Sequence, residues 1–62
     1  MTTFVLNGYE SDSKKAKAKA QVISQIGFGV SVSGDTITVK YQIDVSKVAE
    51  ILSSVGVQYS GG

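Results

Sequence analysis

Residues 29–43 read Gly-Val-Ser-Val-Ser-Gly-Asp-Thr-Ile-Thr-Val-Lys-Tyr-Gln-Ile, and they carry the most regular polarity pattern of the chain. Apolar and polar residues alternate along Gly29–Ser33 and again along Thr36–Ile43, which is the period of half-buried β-strands. Gly34 and Asp35 lie between the two segments and suit a two-residue hairpin loop. The stretch therefore predicts an antiparallel hairpin with one apolar face and one polar face.

The short loop also sets the register of this hairpin. Because side chains alternate between the two faces of a strand, the apolar residues of both strands then meet on one face. The predicted apolar pairs are Val32 with Ile37, Val30 with Val39, and Phe28 with Tyr41.

The chain on the N-terminal side of the hairpin predicts one strand and one helix. Thr2–Leu6 is rich in β-branched and aromatic residues and is followed by the turn pair Asn7-Gly8. Good helix formers run from Lys14 to Ile26, behind three candidate N-caps at 11–13 and ahead of a C-cap glycine, Gly27.

The chain on the C-terminal side repeats this order in reverse. Asp44 can cap a helix over Val45–Val55, whose apolar residues fall on one side, and Gly56 ends it. Val57–Ser60 is expected to be a short last strand, and Gly61-Gly62 a flexible end.

These elements predict an α+β fold in the order β-α-β-β-α-β, with residues 1–62 forming a single domain. Right-handed crossovers would place both helices on one face of a four-stranded antiparallel sheet, the ferredoxin-like arrangement. The sheet side of the expected core is Phe4, Leu6, Val30, Val32, Ile37, Val39, Tyr41 and Val57. The expected helix side is Ala16, Ala20, Ile23, Val48, Ala49 and Leu52.

The segment Ile37–Tyr59 resembles the second half of heavy-metal-associated domains, the small copper-chaperone modules with a ferredoxin-like fold. That family carries a Cys-x-x-Cys pair in the loop after the first strand. The matching positions here fall near Ser11 and Lys14, so the resemblance implies the fold without the family's metal chemistry.

The composition argues against catalysis and cofactors. The chain has no Cys and no His, and its five carboxylates are scattered without calcium-loop spacing. No nucleophile, phosphate-loop or paired-carboxylate motif is present. We therefore expect no enzyme activity, no metal and no cofactor.

Four lysines, Lys14, Lys15, Lys17 and Lys19, lie in the first half of the predicted first helix, where the helix dipole disfavours cations. They are candidates for binding an anionic partner such as nucleic acid, although the net charge is only +1 and such a run is usually a solvated face. Helical geometry directs Lys14 and Lys17 to solvent and Lys15 and Lys19 towards the sheet.

The segment Gly29, Val30, Ser31, Val32 and Ser33 is expected to be an edge strand, and it lacks the Lys, Pro or inward charge that protects natural edges. It is a candidate for pairing with a partner strand or with a second copy of the chain. The alternative is that so short a strand needs no protection.

We therefore expect a non-enzymatic protein-binding module, such as a small phage-encoded inhibitor or adaptor, in the cytoplasm of its own cell or of a host. No membrane-spanning or targeting segment is predicted. Two alternatives stay open: polyanion binding through the lysines, and a ubiquitin-like carrier that uses Gly61 and Gly62.

Overall fold

The chain folds into one four-stranded sheet and two α-helices, connected as the sequence predicts. A computed structural model describes residues 1–62. Its elements are β1 (Thr2–Leu6), α1 (Asp12–Gln25), β2 (Val30–Ser33), β3 (Thr36–Val39), α2 (Val45–Val55) and β4 (Tyr59–Gly61). A short 3₁₀ helix, Gln42–Asp44, precedes α2.

The sheet order is β2-β3-β1-β4, and all neighbouring strands are antiparallel. This order confirms the ferredoxin-like α+β fold and places β2 and β4 at the two edges. The hairpin register is confirmed at two of the three predicted pairs, Val32 with Ile37 and Val30 with Val39.

The third predicted pair, Phe28 with Tyr41, does not belong to the ladder. β3 ends at Val39 rather than at Ile43, because the chain turns there into the 3₁₀ helix, closed by a 3.0 Å bond from the Asp44 N–H to the Tyr41 carbonyl. Tyr41 is 37% exposed, so its assignment to the core is wrong.

The core lies between the sheet and the two helices and consists of ten apolar residues. They are Phe4, Leu6, Ala18, Val22, Ile37, Val39, Val48, Ile51, Leu52 and Val57. Val30, Val32 and Ala49 are half-buried around it.

The predicted inner face of α1 is wrong. Ala18 and Val22 are buried, whereas Ala16, Ala20 and Ile23 are exposed. The side of α1 that faces the core runs from Ala18 through Val22 to half-buried Ile26, at a spacing of four residues. Ile23 lies on a different side of the helix and points away from the sheet.

The helix ends follow the predicted caps with one exception. The Ser11 hydroxyl accepts a 3.2 Å bond from the Lys14 N–H, and Gly56 ends α2 with a left-handed φ of 86°. Asp44 stands at the start of α2, but its side chain makes no capping bond. The 3₁₀ helix runs directly into α2, so Asp44 has helical backbone angles instead of the extended ones of a capping residue.

The last strand begins later than predicted. The Val57 N–H donates to the Leu52 carbonyl at 3.2 Å and so belongs to the end of α2. Gly61 is part of β4, opposite Phe4, and the Gly62 N–H donates to the Thr3 carbonyl at 3.1 Å. The predicted flexible Gly61-Gly62 end is therefore wrong, because Gly61 lies in the sheet and Gly62 is hydrogen-bonded to it.

Candidate functional site

Lys15 and Lys19 bind the hairpin loop between β2 and β3. The Lys15 ammonium lies 3.3 Å from the Asp35 carboxylate and 3.7 Å from that of Asp12, and its side chain is 11% exposed. The Lys19 ammonium donates a 3.0 Å hydrogen bond to the Gly34 carbonyl. Both lysines reach towards the sheet as predicted, and both hold the edge hairpin in place.

Lys14 and Lys17 are exposed and make no ion pair or side-chain hydrogen bond. Lys17 borders a shallow groove between α1 and α2, where Lys47 and Glu50 stand on the other wall. Since the groove combines two ammonium groups with a carboxylate, it is not a selective anion site. The structure thus divides the four lysines into two pairs instead of one patch.

The open edge of β2 presents unpaired backbone groups to solvent. The Lys40 N–H donates to the Gly29 carbonyl at 2.8 Å, so Gly29 and Lys40 form a hydrogen-bonded pair. In an antiparallel ladder, every second residue of a strand belongs to such a pair, and the residues between them direct their backbone groups to the other side. Ser31 and Ser33 therefore direct their backbone groups to β3, and Val30 and Val32 direct theirs outward.

Three of these outward groups have no partner within the chain. The Val30 N–H donates to the Gly27 carbonyl over a long 3.3 Å, so it is already engaged. The Val32 N–H, the Val32 carbonyl and the Val30 carbonyl remain open to a strand that approaches along this edge.

The other edge, β4, is shorter, with three residues against four in β2. Just before it, the Gln58 carbonyl accepts from the Asn7 N–H, and the Gln58 N–H donates a 2.7 Å bond to a carboxylate oxygen of Glu10. Both Gln58 groups therefore lie on the β1 side and leave the outer edge of β4 uncovered. The edge of β2 is the longer of the two.

An exposed aromatic corner, Phe28 and Tyr41, lies directly beside the start of β2. The two rings are stacked, with centroids 5.8 Å apart and planes at 17°. Phe28 is 79% exposed, and Ile43, two residues beyond Tyr41, is 86% exposed. Lys40 stands over the Tyr41 ring at 5.6 Å.

The sequence pattern does not predict this corner, because the alternation of the two strands continues through Phe28 and Tyr41. The available signal was the Gly27-Phe28-Gly29 triplet, since two glycines around one aromatic residue favour a turn over a strand. Both glycines adopt positive φ, 70° and 82°, and remove Phe28 from the ladder.

The sheet face opposite the helices is polar, as predicted. Thr3, Ser31 and Thr38 lie side by side across it, and Val5 is its large apolar residue, 42% exposed. None of the aromatic side chains that single-stranded RNA needs for stacking lies here.

The structure contains no group of three or more His, Cys, Asp or Glu side chains placed to hold a metal ion. No helix has both the length and the apolar character needed to cross a membrane. Comparison with protein-family models, with curated proteins and with solved structures gave no match. The absence of enzyme activity, metals and cofactors stays a prediction from composition.

Proposed function

We propose that this chain is a non-enzymatic protein-binding module that accepts a strand of its partner along the open edge of β2. The observation that carries the proposal is the set of unpaired backbone groups on Val30 and Val32. A partner strand that pairs with them gains main-chain hydrogen bonds, and pockets for alternate side chains set its specificity.

The edge also lacks the features that natural sheets use against such pairing. β2 has the sequence Val-Ser-Val-Ser, without charge or proline. Lys15 and Lys19 bind the loop between β2 and β3, so these two strands are anchored to α1 and the edge is rigid. A rigid edge reduces the ordering entropy that binding must overcome.

Polyanion binding has weaker support. Lys15 and Lys19 already have partners in the hairpin loop, which leaves Lys14 and Lys17 as the free cations of the first turns of α1. Two separate phosphate contacts give low affinity at physiological salt.

The carrier interpretation has weaker support as well. A Gly-Gly tail acts by entering the active site of an activating enzyme, which requires a free extended end. Gly61 is paired with β1, and Gly62 donates to Thr3, so the tail would first have to leave the sheet.

A module of this kind acts by occupying a site on a larger protein, as an adaptor or an inhibitor does. The proposal places this binding in the cytoplasm, of its own cell or of a host, where a chain without Cys is unaffected by reducing conditions. Phage-encoded inhibitors are a class of short proteins that work in this way.

A matched pair of edge variants tests the proposal. Ser31→Lys adds a charge to the β2 edge, and Ser60→Lys adds the same charge to the β4 edge; both serines are exposed on the polar sheet face. Lysine on an edge opposes strand pairing. We expect Ser31→Lys to abolish capture of the partner from lysate at high salt and Ser60→Lys to leave it unchanged.

Equal capture by Ser31→Lys and the unmodified chain would contradict the proposal. Loss with Ser60→Lys alone would move the binding surface to β4. Circular dichroism of both variants provides the control for folding.

A further inference from the structure

We propose, resting on the proposed function, that the strand accepted by β2 is β2 of a second copy, so that the chain forms a symmetric antiparallel dimer. The two sheets then join into one sheet of eight strands. Such a dimer requires a surface that complements itself across a two-fold axis, because every contact from residue i of one copy to residue j of the other is matched by one from j to i.

The open backbone groups determine the register. In an antiparallel pair, hydrogen bonds form only between residues that direct their backbone groups at each other. The Val32 N–H of each copy can donate to the Val30 carbonyl of the other, and both groups are free within the chain. This register places Ser31 on the two-fold axis, opposite Ser31 of the second copy.

The strand tolerates a copy of itself at that axis. A charged residue on the axis would face the same charge, which opposes pairing. Ser31 is neutral, and its hydroxyl can both donate and accept a hydrogen bond. β2 carries no charge at all, and the net charge of the chain is only +1, so two copies repel each other weakly.

The same register brings the aromatic corner close to the second copy. Gly29 comes opposite Ser33 of the second copy, so Phe28, which precedes Gly29 outside the ladder, lies beside the hairpin loop of that copy. The space where a Gly34 side chain would lie in this loop is empty. Phe28 is 79% exposed, and covering part of its ring against this loop adds apolar burial twice in the dimer.

Single cysteine variants test the register, since the chain has no Cys of its own. Residues on the axis form a non-hydrogen-bonded pair with Cα atoms about 4.5 Å apart, within disulfide range. Two copies of Ser33 would be about 13 Å apart, four residues along the strand. We expect mild oxidation to convert Ser31→Cys to a covalent dimer and to leave Ser33→Cys monomeric.

Sedimentation of the unmodified chain tests association without the cysteine. We expect a concentration-dependent shift from the monomer to the dimer, with a dimer dissociation constant about tenfold higher for Phe28→Ser, because its apolar contact is lost. Tyr9→Ser serves as the control, because Tyr9 is 99% exposed but lies in the loop after β1, away from the β2 edge; this change should leave the shift intact.

The outcomes separate this inference from the proposed function. Monomers at all concentrations, or equal crosslinking of Ser31→Cys and Ser33→Cys, would overturn the dimer. If a monomeric chain still captures a different protein and loses it with Ser31→Lys, the dimer is excluded and the binding edge stands. If neither association nor capture responds to Ser31→Lys, both fail.

Discussion

Gly29 is the residue on which the aromatic corner depends. It has a φ of 82°, a left-handed conformation that residues with a side chain seldom adopt, and a Cβ atom there would lie 2.5 Å from the Tyr41 ring. The ring therefore lies across the strand backbone where only glycine fits. The sequence predicts Gly29 as the start of a strand, but not this contact, because the contact depends on where β3 ends.

Substitution of this glycine is expected to be more harmful than substitution of another positive-φ glycine in open space. Gly29→Ala combines backbone strain with a clash and should lower the free energy of unfolding by about 3 kcal/mol. Gly34→Ala has a similar φ of 58° but no neighbouring atom, and should lower it by about 1–2 kcal/mol. Urea denaturation measures both, and equal losses would contradict the ring contact.

At the scale of elements, the buried face of helix α1 could not be predicted from the sequence pattern. The α2 face was predicted well, since its apolar residues form one clear stripe, and Val48 and Leu52 are buried. In α1, alanines and lysines alternate over much of the length, so the stripe is weak and several phases fit. In the observed phase, Ala18 and Val22 are buried, and Lys15 and Lys19 reach the hairpin loop.

Two neighbouring residues of α1 test the observed phase. Val22 is fully buried, and Val22→Ala should lower the free energy of unfolding by about 2 kcal/mol, because apolar burial is lost and a cavity remains. Ile23 is 52% exposed, and Ile23→Ala should lower it by only about 0.5 kcal/mol. Thermal unfolding compares the two, and the reverse order would show that the helix is rotated.

At the scale of the whole molecule, the sequence alone predicts the topology and the position of β2 at an edge. Both follow from the two-residue hairpin loop and from the right-handed crossovers, because these connections involve only elements that are consecutive in the chain. The aromatic corner and the division of the lysines could not be predicted in the same way. They depend on tertiary contacts: the stacking of Phe28 on Tyr41, and the reach of Lys15 to Asp35.

The lysine alternative is tested by a double charge reversal at the two free positions. Lys14→Glu with Lys17→Glu removes both exposed cations of the lysine set and also favours the start of α1 electrostatically. If β2 is the binding surface, partner capture should be unchanged and insensitive to salt. Loss of capture, or a steep fall of affinity between low and high salt, would instead support polyanion binding.

Amide hydrogen exchange at Val32 shows directly whether β2 is the binding edge. In the dilute free protein, the Val32 N–H points to solvent and should exchange quickly, while the Ser31 N–H, directed at β3, is protected. When the partner binds, whether a second copy or another protein, the Val32 N–H should become protected as strongly as that of Ser31. A bound state in which the Val32 N–H still exchanges as fast as in the free chain would show that β2 is not the binding edge.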